Sequence, residues 1–334
     1  MALRAGAIRF NTDTSQMEIY DGNQWTGILA TSPEQETGGG RGLFGGGGTS
    51  PGGADDRHVN TIDYITMSTT GNALDFGDLT ERRDFIESLA SRTRGFWFAG
   101  VDPGTVGLNT IDFVTIASTG NAVNFGDVTG AQRTSGGISD STRGIIPGVN
   151  GGTNKIEYIT MSTTGDSVDF GDMYVAEASG GSVNSPTRGV TGGGDSPAYT
   201  NVIQYLTIST LGNTADFGDL TQVKGYVVGA DSATRGLFMT GILSPESSNT
   251  NTIEYITITS LGNAADFGDA AVAARHAGGT SDCRRAVVTA GTPGFAGSIS
   301  YVQIATAGNA VDFGDQFQTR RGMAGCSNAH GGLG

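Results

Sequence analysis

The sequence predicts an all-β chain of repeated four-stranded units, and three observations lead there. The stretch "NALDFGDLT" at residues 72–80 returns as "NAVNFGDVT", "DSVDFGDMY", "NTADFGDLT", "NAADFGDAA" and "NAVDFGDQF". Its phenylalanines, Phe76, Phe125, Phe170, Phe217, Phe267 and Phe313, are 49, 45, 47, 50 and 46 residues apart, a period that marks an architectural repeat. An alternating segment precedes each copy and is joined to it by a tight-turn signal such as "TTGN" or "TAGN". The 56 glycines among 334 residues follow no G-X-Y period and alternate with strand-like runs, so they punctuate strands.

The DFG triplet invites a kinase reading, because in kinases that aspartate holds magnesium. The neighbours exclude it. There is no HRD, and the only lysines, Lys155 and Lys224, lack a VAIK-like setting. A catalytic aspartate is needed once, whereas this element occurs six times.

In chain order, residues 1–30 stand outside the repeat. "AGAIRFNTDTSQMEIYDGNQWTGIL" reads as three short strands joined by polar turns. So short a piece buries little, leaving Phe10, Tyr20 and Trp25 partly exposed for docking or oligomerisation. Residues 31–40, within "ATSPEQETGGG", read as a flexible linker. From residue 41 to 334 each unit reads as strands A, B, C and D. B strands begin at Arg41, Arg94, Arg143, Arg188, Arg235 and Arg284. A strands begin near Arg82, Ala131, Val175, Val223, Arg275 and Arg320. C strands such as "NTIEYITI" carry apolar groups on both faces, so each sheet lies between neighbours. Such sheets at this period, packed face to face, make a six-bladed β-propeller. Gly136, Gly137, Gly278 and Gly279 in the A strands suit a crowded centre.

The first B strand, at Arg41, has no A strand before it, and the last A strand, near Arg320, has no B strand after it. The C-terminal strand is therefore expected to complete the sheet begun at Arg41 and remove exposed edges. In the Phe-Gly-Asp element, Phe is expected to fill the wedge between sheets, Gly to permit a bulge or positive φ, and Asp to accept backbone N–H bonds. Calcium would need a D-x-D-x-D-G type of spacing, so no metal and no cofactor is expected. The B-strand arginines are expected to pair with acids or carbonyls. His276 is expected to be a packed core residue, and few unique charged or nucleophilic groups are expected at matching positions of the units.

Composition excludes several classes. The net charge is -14 with no basic cluster, which argues against nucleic-acid binding. Two cysteines make no disulfide scaffold, although Cys283 and Cys326 could meet if their strands are adjacent. No run is long enough to span a membrane, and the N-terminus lacks the apolar core of a secretory signal.

The repeat resembles the kelch type of propeller. Gly45-Gly46 and Gly192-Gly193 stand for its paired glycines, and Tyr64, Phe113, Tyr158, Tyr205, Tyr255 and Tyr301 for its aromatic; its tryptophan has no counterpart. The N-terminal segment resembles a module of bacteriophage tail-fibre and other virion proteins. The matching residues are Gly6, Ile8, Arg9, Phe10, Asn11, Thr12, Glu18, Tyr20, Gly22 and Trp25. This resemblance implies a phage structural protein assembled in the host cytoplasm. It implies attachment to other virion proteins through residues 1–30, with a trimer the favoured state.

The turns between C and D hardly vary, whereas the loops between B and C vary freely. Variable loops on a rigid scaffold are where binding usually resides. Arg57, His58, Tyr199, Glu246 and Phe295 are the side chains there that could anchor a host surface glycan or protein. The expectation is a non-enzymatic virion appendage for host recognition. The alternatives are a purely structural decoration protein and a glycan-degrading tail-spike enzyme.

Overall fold

The computed structural model describes residues 4–11, 16–27, 40–49, 58–130, 134–149, 151–245, 247–293 and 297–333. The chain divides into two compact units, Met1–Thr37 and Gly38–Gly334. The predicted linker lies outside the described residues except for Gly40.

The first unit is an antiparallel sheet of Ile8–Asn11, Gln16–Tyr20 and Trp25–Gly27. Alternation puts Arg9, Glu18 and Trp25 together. Arg9 pairs with Glu18 at 2.7 Å and lies 4.3 Å over the Trp25 ring, while Tyr20 packs 5.4 Å from Trp25. Ile8 and Ile19 are cross-strand partners and remain exposed.

In the second unit the described strands form six antiparallel sheets resembling propeller blades. Sheet 2 is representative: A Glu87–Ala90, B Arg94–Phe98, C Thr110–Thr115 and D Val123–Asp127, in spatial order A-B-C-D. Sheet 1 takes its A strand, Ala324–Ser327, from the C-terminus; this strand pairs with B Arg41–Gly45, as the orphan strands required. Sheet 5 has longer B and C strands, Arg235–Leu243 and Asn249–Thr257, and an added short strand Lys224–Gly225.

Two boundaries differ from expectation. The sixth B strand begins at Arg285, one residue after Arg284. The A strands start later than predicted, at Glu87, Ile138, Gly181, Val228, Gly279 and Ala324. In sheets 1, 2 and 5 the preceding residues turn a long side chain beneath the sheet. Arg83 meets Asp112 at 2.8 Å, Lys224 meets Glu254 at 2.8 Å, and Arg320 meets Asp63. All six partners are buried. Pairing is the condition for burying such charges, since one left alone would cost about 3–5 kcal/mol.

Each hydrophobic core cluster is shared by two successive sheets. Phe76 and Tyr64 of sheet 1 pack with Trp97, Val114 and Ile116 of sheet 2, and Phe313 of sheet 6 packs with Phe44 and Ile65 of sheet 1. The predicted wedge role of the phenylalanine is therefore correct. Each aspartate of the element, however, bonds through its main chain. The Asp78 N–H donates to the Asn121 side chain at 3.1 Å, and the Asp78 carbonyl accepts from Ala122 N at 2.7 Å. The same exchange links every D strand to the next sheet's C–D turn, including Asp315 to Asn72 at 3.0 Å. Glycine is required because that turn lies against it. A bulge sits here in every C–D pair, and a Cβ on Gly77 (φ 149°) would fall 2.5 Å from the Gly120 carbonyl.

The B-strand arginines add a second set of ties, to carbonyls rather than acids. Arg41 donates to Ile116 O, Arg94 to Met161 O, Arg143 to Ile208 O, Arg188 to Ile258 O, Arg235 to Ile304 O and Arg285 to Met67 O, at 2.7–2.9 Å. Every bond runs from one sheet to the next, and the sixth returns to the first. Each guanidinium also lies 4.6–5.0 Å over the C-strand aromatic of its own sheet.

Two measurements check this packing. Gly77→Ala and Gly120→Ala replace glycines of nearly equal φ, but a Cβ at Gly120 meets nothing within 4 Å. Urea unfolding is expected to show Gly77→Ala as the less stable by about 2 kcal/mol, the cost of overpacking; equal losses would refute the turn contact. Removing residues 320–334 strips sheet 1 of its A strand and leaves Asp63 buried without its cation. The melting temperature is expected to fall by roughly 10 °C or more.

Candidate functional site

The innermost strands enclose a central cavity of about 120 Å³. They approach closely: a Cβ on Gly325 would fall 2.6 Å from the Gly279 carbonyl, which is the crowding the small A-strand residues implied. The residue nine positions before the B-strand arginine differs from sheet to sheet, and in sheet 1, whose A strand comes from the C-terminus, its equivalent stands two positions before that strand. These residues are Phe85, Thr134, Ser179, Tyr226, His276 and Gly322. All but Thr134 have positive φ, 55–65°. For Phe, Tyr and His this backbone conformation is strained by about 1–3 kcal/mol each, and such strain collects at functional sites.

These residues make one mouth of the cavity. His276 lies edge-on between two rings, 4.9 Å from Phe85 and 4.2 Å from Tyr226. It is half-buried and lines the cavity, so it is not the core histidine expected. Arg321 donates to His276 Nδ1 at 3.4 Å, lies 5.2 Å over Phe85 and reaches the buried Asp84 carboxylate at 3.4 Å. His58 approaches the same carboxylate at 3.9 Å. Strand direction places the B–C loops on this side and the C–D turns on the opposite one.

Of the predicted binding residues, the structure brings His58 into this cluster. Tyr199 is 37% exposed, and its ring lies beside Gly225, the neighbour of Tyr226. Arg57, Glu246 and Phe295 lie outside the described residues, as does the side chain of Phe10. Tyr20 and Trp25 are half-buried against each other. Sequence reasoning missed Asp84, Phe85, Glu87, Tyr226 and Arg321. It expected few unique groups at matching positions because it placed the A strands too early. Counting back from the B-strand arginine would have aligned these residues and shown that they differ from sheet to sheet.

The far end of the cavity is covered by the C-terminal turn Gly331–Leu333. His330 Nε2 donates to Ala90 O at 2.9 Å, and Gly331 N–H donates to the Asp231 carboxylate at 2.6 Å. Cys283 and Cys326 are unpaired. Burial pushes their thiols up to about 11 and about 12, so neither is a nucleophile at neutral pH. Among the described residues there is no group of three His, Cys, Asp or Glu side chains able to hold a metal, and no helix long and apolar enough to cross a membrane.

Glu177 holds in sheet 4 the place of Arg83 and Lys224, and the C strand there carries Gln204 instead of an acid. Burial pushes the Glu177 carboxyl up to about 8, against the bond from Thr191 at 2.6 Å. Here a neutral acid and an amide replace an ion pair.

Compared with known proteins, the chain matches no family model and no curated protein sequence.

The Glu177 carboxyl sets a pH dependence. A carboxyl raised from its ordinary value of 4.5 to about 8 favours the folded state fully below pH 4.5, and that contribution is lost as pH rises through 8. Glu177→Gln removes the loss. Urea midpoints are expected to show a larger gain for the variant at pH 8.5 than at pH 5; an equal gain at both would refute the buried neutral acid.

Proposed function

We propose that the chain is a bacteriophage virion surface protein that recognises the host through the loop-bearing face of a six-bladed β-propeller. The observation that carries the recognition role is the mouth cluster. Aromatic and charged side chains unlike those of the other sheets meet there on strained backbone, while the opposite face repeats one turn six times. Ring closure is supported by the sixth step of both sets of ties, Arg285 to Met67 and Asp315 to Asn72. The innermost strands also contact one another in turn, with that of sheet 1 against that of sheet 2.

The virion role rests on the fibre-type motif of residues 6–25 and on the exposed Ile8 and Ile19 of its small sheet. That sheet attaches the chain to other virion proteins as a trimer. The mouth face then binds a host surface glycan or protein without chemistry on it. Aromatic, arginine and carboxylate groups around a rigid depression suit such binding.

A second reading, decoration of the particle by structural contacts alone, is favoured by one feature. Leu74, Val123, Val168 and Val311 are each at least half exposed at the start of outermost D strands, an apolar set suited to protein neighbours. The experiment uses particles carrying His58→Ala with Tyr199→Ala. Normal assembly with host adsorption slowed by about tenfold or more, at least 1.4 kcal/mol of recognition, supports the first reading. Unchanged adsorption by intact particles leaves decoration. A chain beginning at Gly40 is expected to fold and to be missing from particles, and its normal incorporation would refute the attachment role.

A further inference from the structure

One side of the mouth is short of negative charge in a chain that has an excess of it. The net charge is -14, yet Arg275, His276, Arg321 and His58 stand in one cluster where sheets 6, 1 and 2 meet. Arg275 and Arg321 hold the same place in sheets 6 and 1, one residue before His276 and Gly322. Asp84 holds that place in sheet 2, and it is shared by Arg321 at 3.4 Å and His58 at 3.9 Å.

Arg275 has no acidic partner among the described residues. Its guanidinium donates to the Asn249 side chain at 3.5 Å, the outer limit of a hydrogen bond, and its main chain pairs with Thr292. Asn249 opens the C strand of sheet 5, so this guanidinium lies on the loop-bearing face. Asp195 stands beside Gly225 and is itself engaged. Two buried donors of the cluster, Arg321 Nε and Thr292 Oγ1, meet no acceptor. Buried donors almost always find one, so the cluster lacks acceptors as well as negative charge.

An apolar surface adjoins these groups. The exposed Tyr199 ring lies beside Gly225, and the next residue, Tyr226, packs on His276. An exposed ring near guanidinium groups suits a sugar, whose C–H face covers the ring while a charged substituent meets the cations.

We infer that the loop-bearing face takes an acidic sugar, one bearing a carboxylate or a phosphate, and that Arg275 and Arg321 select for its charge. This rests on the recognition reading and names the class of glycan recognised. Planar guanidinium forks match the oxygens of either group, and charge-assisted bonds are the stronger kind. An anion supplies the acceptors that the cluster lacks, whereas a neutral sugar leaves Arg275 without a counter-charge. The acidic remainder of the chain does not prevent this, because salt screens exposed charges beyond about 8–10 Å.

The test uses the full chain with glucuronate and glucose 6-phosphate, and glucose as the neutral control, titrated at matched ionic strength. At least one acidic sugar is expected to bind about tenfold or more tightly than glucose, and the better of the two tells carboxylate from phosphate. In Arg275→Gln that preference should fall by about fivefold or more, with melting curves showing that the variant is folded. The inference is overturned if neither acidic sugar binds more tightly than glucose, a comparison that needs no variant, or if the preference is unchanged in Arg275→Gln. Particles separate it from the reading it rests on. Adsorption slowed by His58→Ala with Tyr199→Ala, but indifferent to Arg275→Gln and to both added acidic sugars, would overturn the acidic sugar and keep host recognition. Acidic-sugar binding by the chain, with adsorption indifferent to all three substitutions, would keep this site and remove the recognition role.

Discussion

The guanidinium that opens each B strand ties this molecule together. It lies over the aromatic of its own sheet and donates to a carbonyl at the end of the next sheet's C strand. One residue therefore joins the face of one sheet to the backbone of another. Charged donors make stronger hydrogen bonds than neutral ones, and a carbonyl acceptor adds no second ion to desolvate. A parallel set of ties runs from each D strand to the next C–D turn. Neighbouring sheets are thereby held in register at two places, and the phenylalanine of the Phe-Gly-Asp element fills the wedge between. Each piece explains another: glycine admits the turn, the turn fixes the strand, and the strand places the ring beneath the guanidinium.

Within this frame the C-strand residue just before the aromatic shows how polar groups are tolerated in the core. Asp63, Asp112 and Glu254 meet Arg320, Arg83 and Lys224. Glu157 instead meets Ser167 and Thr129, and Gln204 bonds Thr214 at 2.8 Å. Among the described residues these buried cations stand opposite acids, and opposite the neutral Gln204 stands Glu177, a carboxyl pushed up to about 8. The buried pairs specify which segment docks beneath which sheet, since a mismatched charge would be left without a partner at several kcal/mol.

Strain and irregularity gather at the centre. The repeated positions carry structure, and at them every sheet uses nearly the same side chain. The positions just before the A strands carry six different residues, most in the left-handed region. Rigid surroundings make this possible, because a backbone conformation costing 1–3 kcal/mol persists only where packing over-determines it. The result is a mouth and a cavity with no six-fold symmetry inside a frame that is nearly symmetric.

Much of the frame was legible in the sequence because it repeats. Six copies of one short element, alternating strands and orphan strands at the two ends led to the sheets and to the C-terminal strand's return to Arg41. The wedge role of Phe76 and its equivalents followed from the same periodicity. The cavity was not legible. Glu87, Tyr226 and Arg321 each occur once, in segments that look like loops, and periodicity says nothing about a residue that does not recur. Their meeting depends on the innermost strands converging from sheets far apart in sequence and, for Tyr226, on a left-handed backbone at that residue. The fate of the charges was hidden for the same reason. Lys224 is an ordinary surface lysine on sequence alone, and only the packing of one sheet on the next buries it beside Glu254. The sequence by itself determined the repeat and its strands, through local period and turn chemistry. The tertiary structure decided which unique side chains share a space, because that depends on long-range convergence.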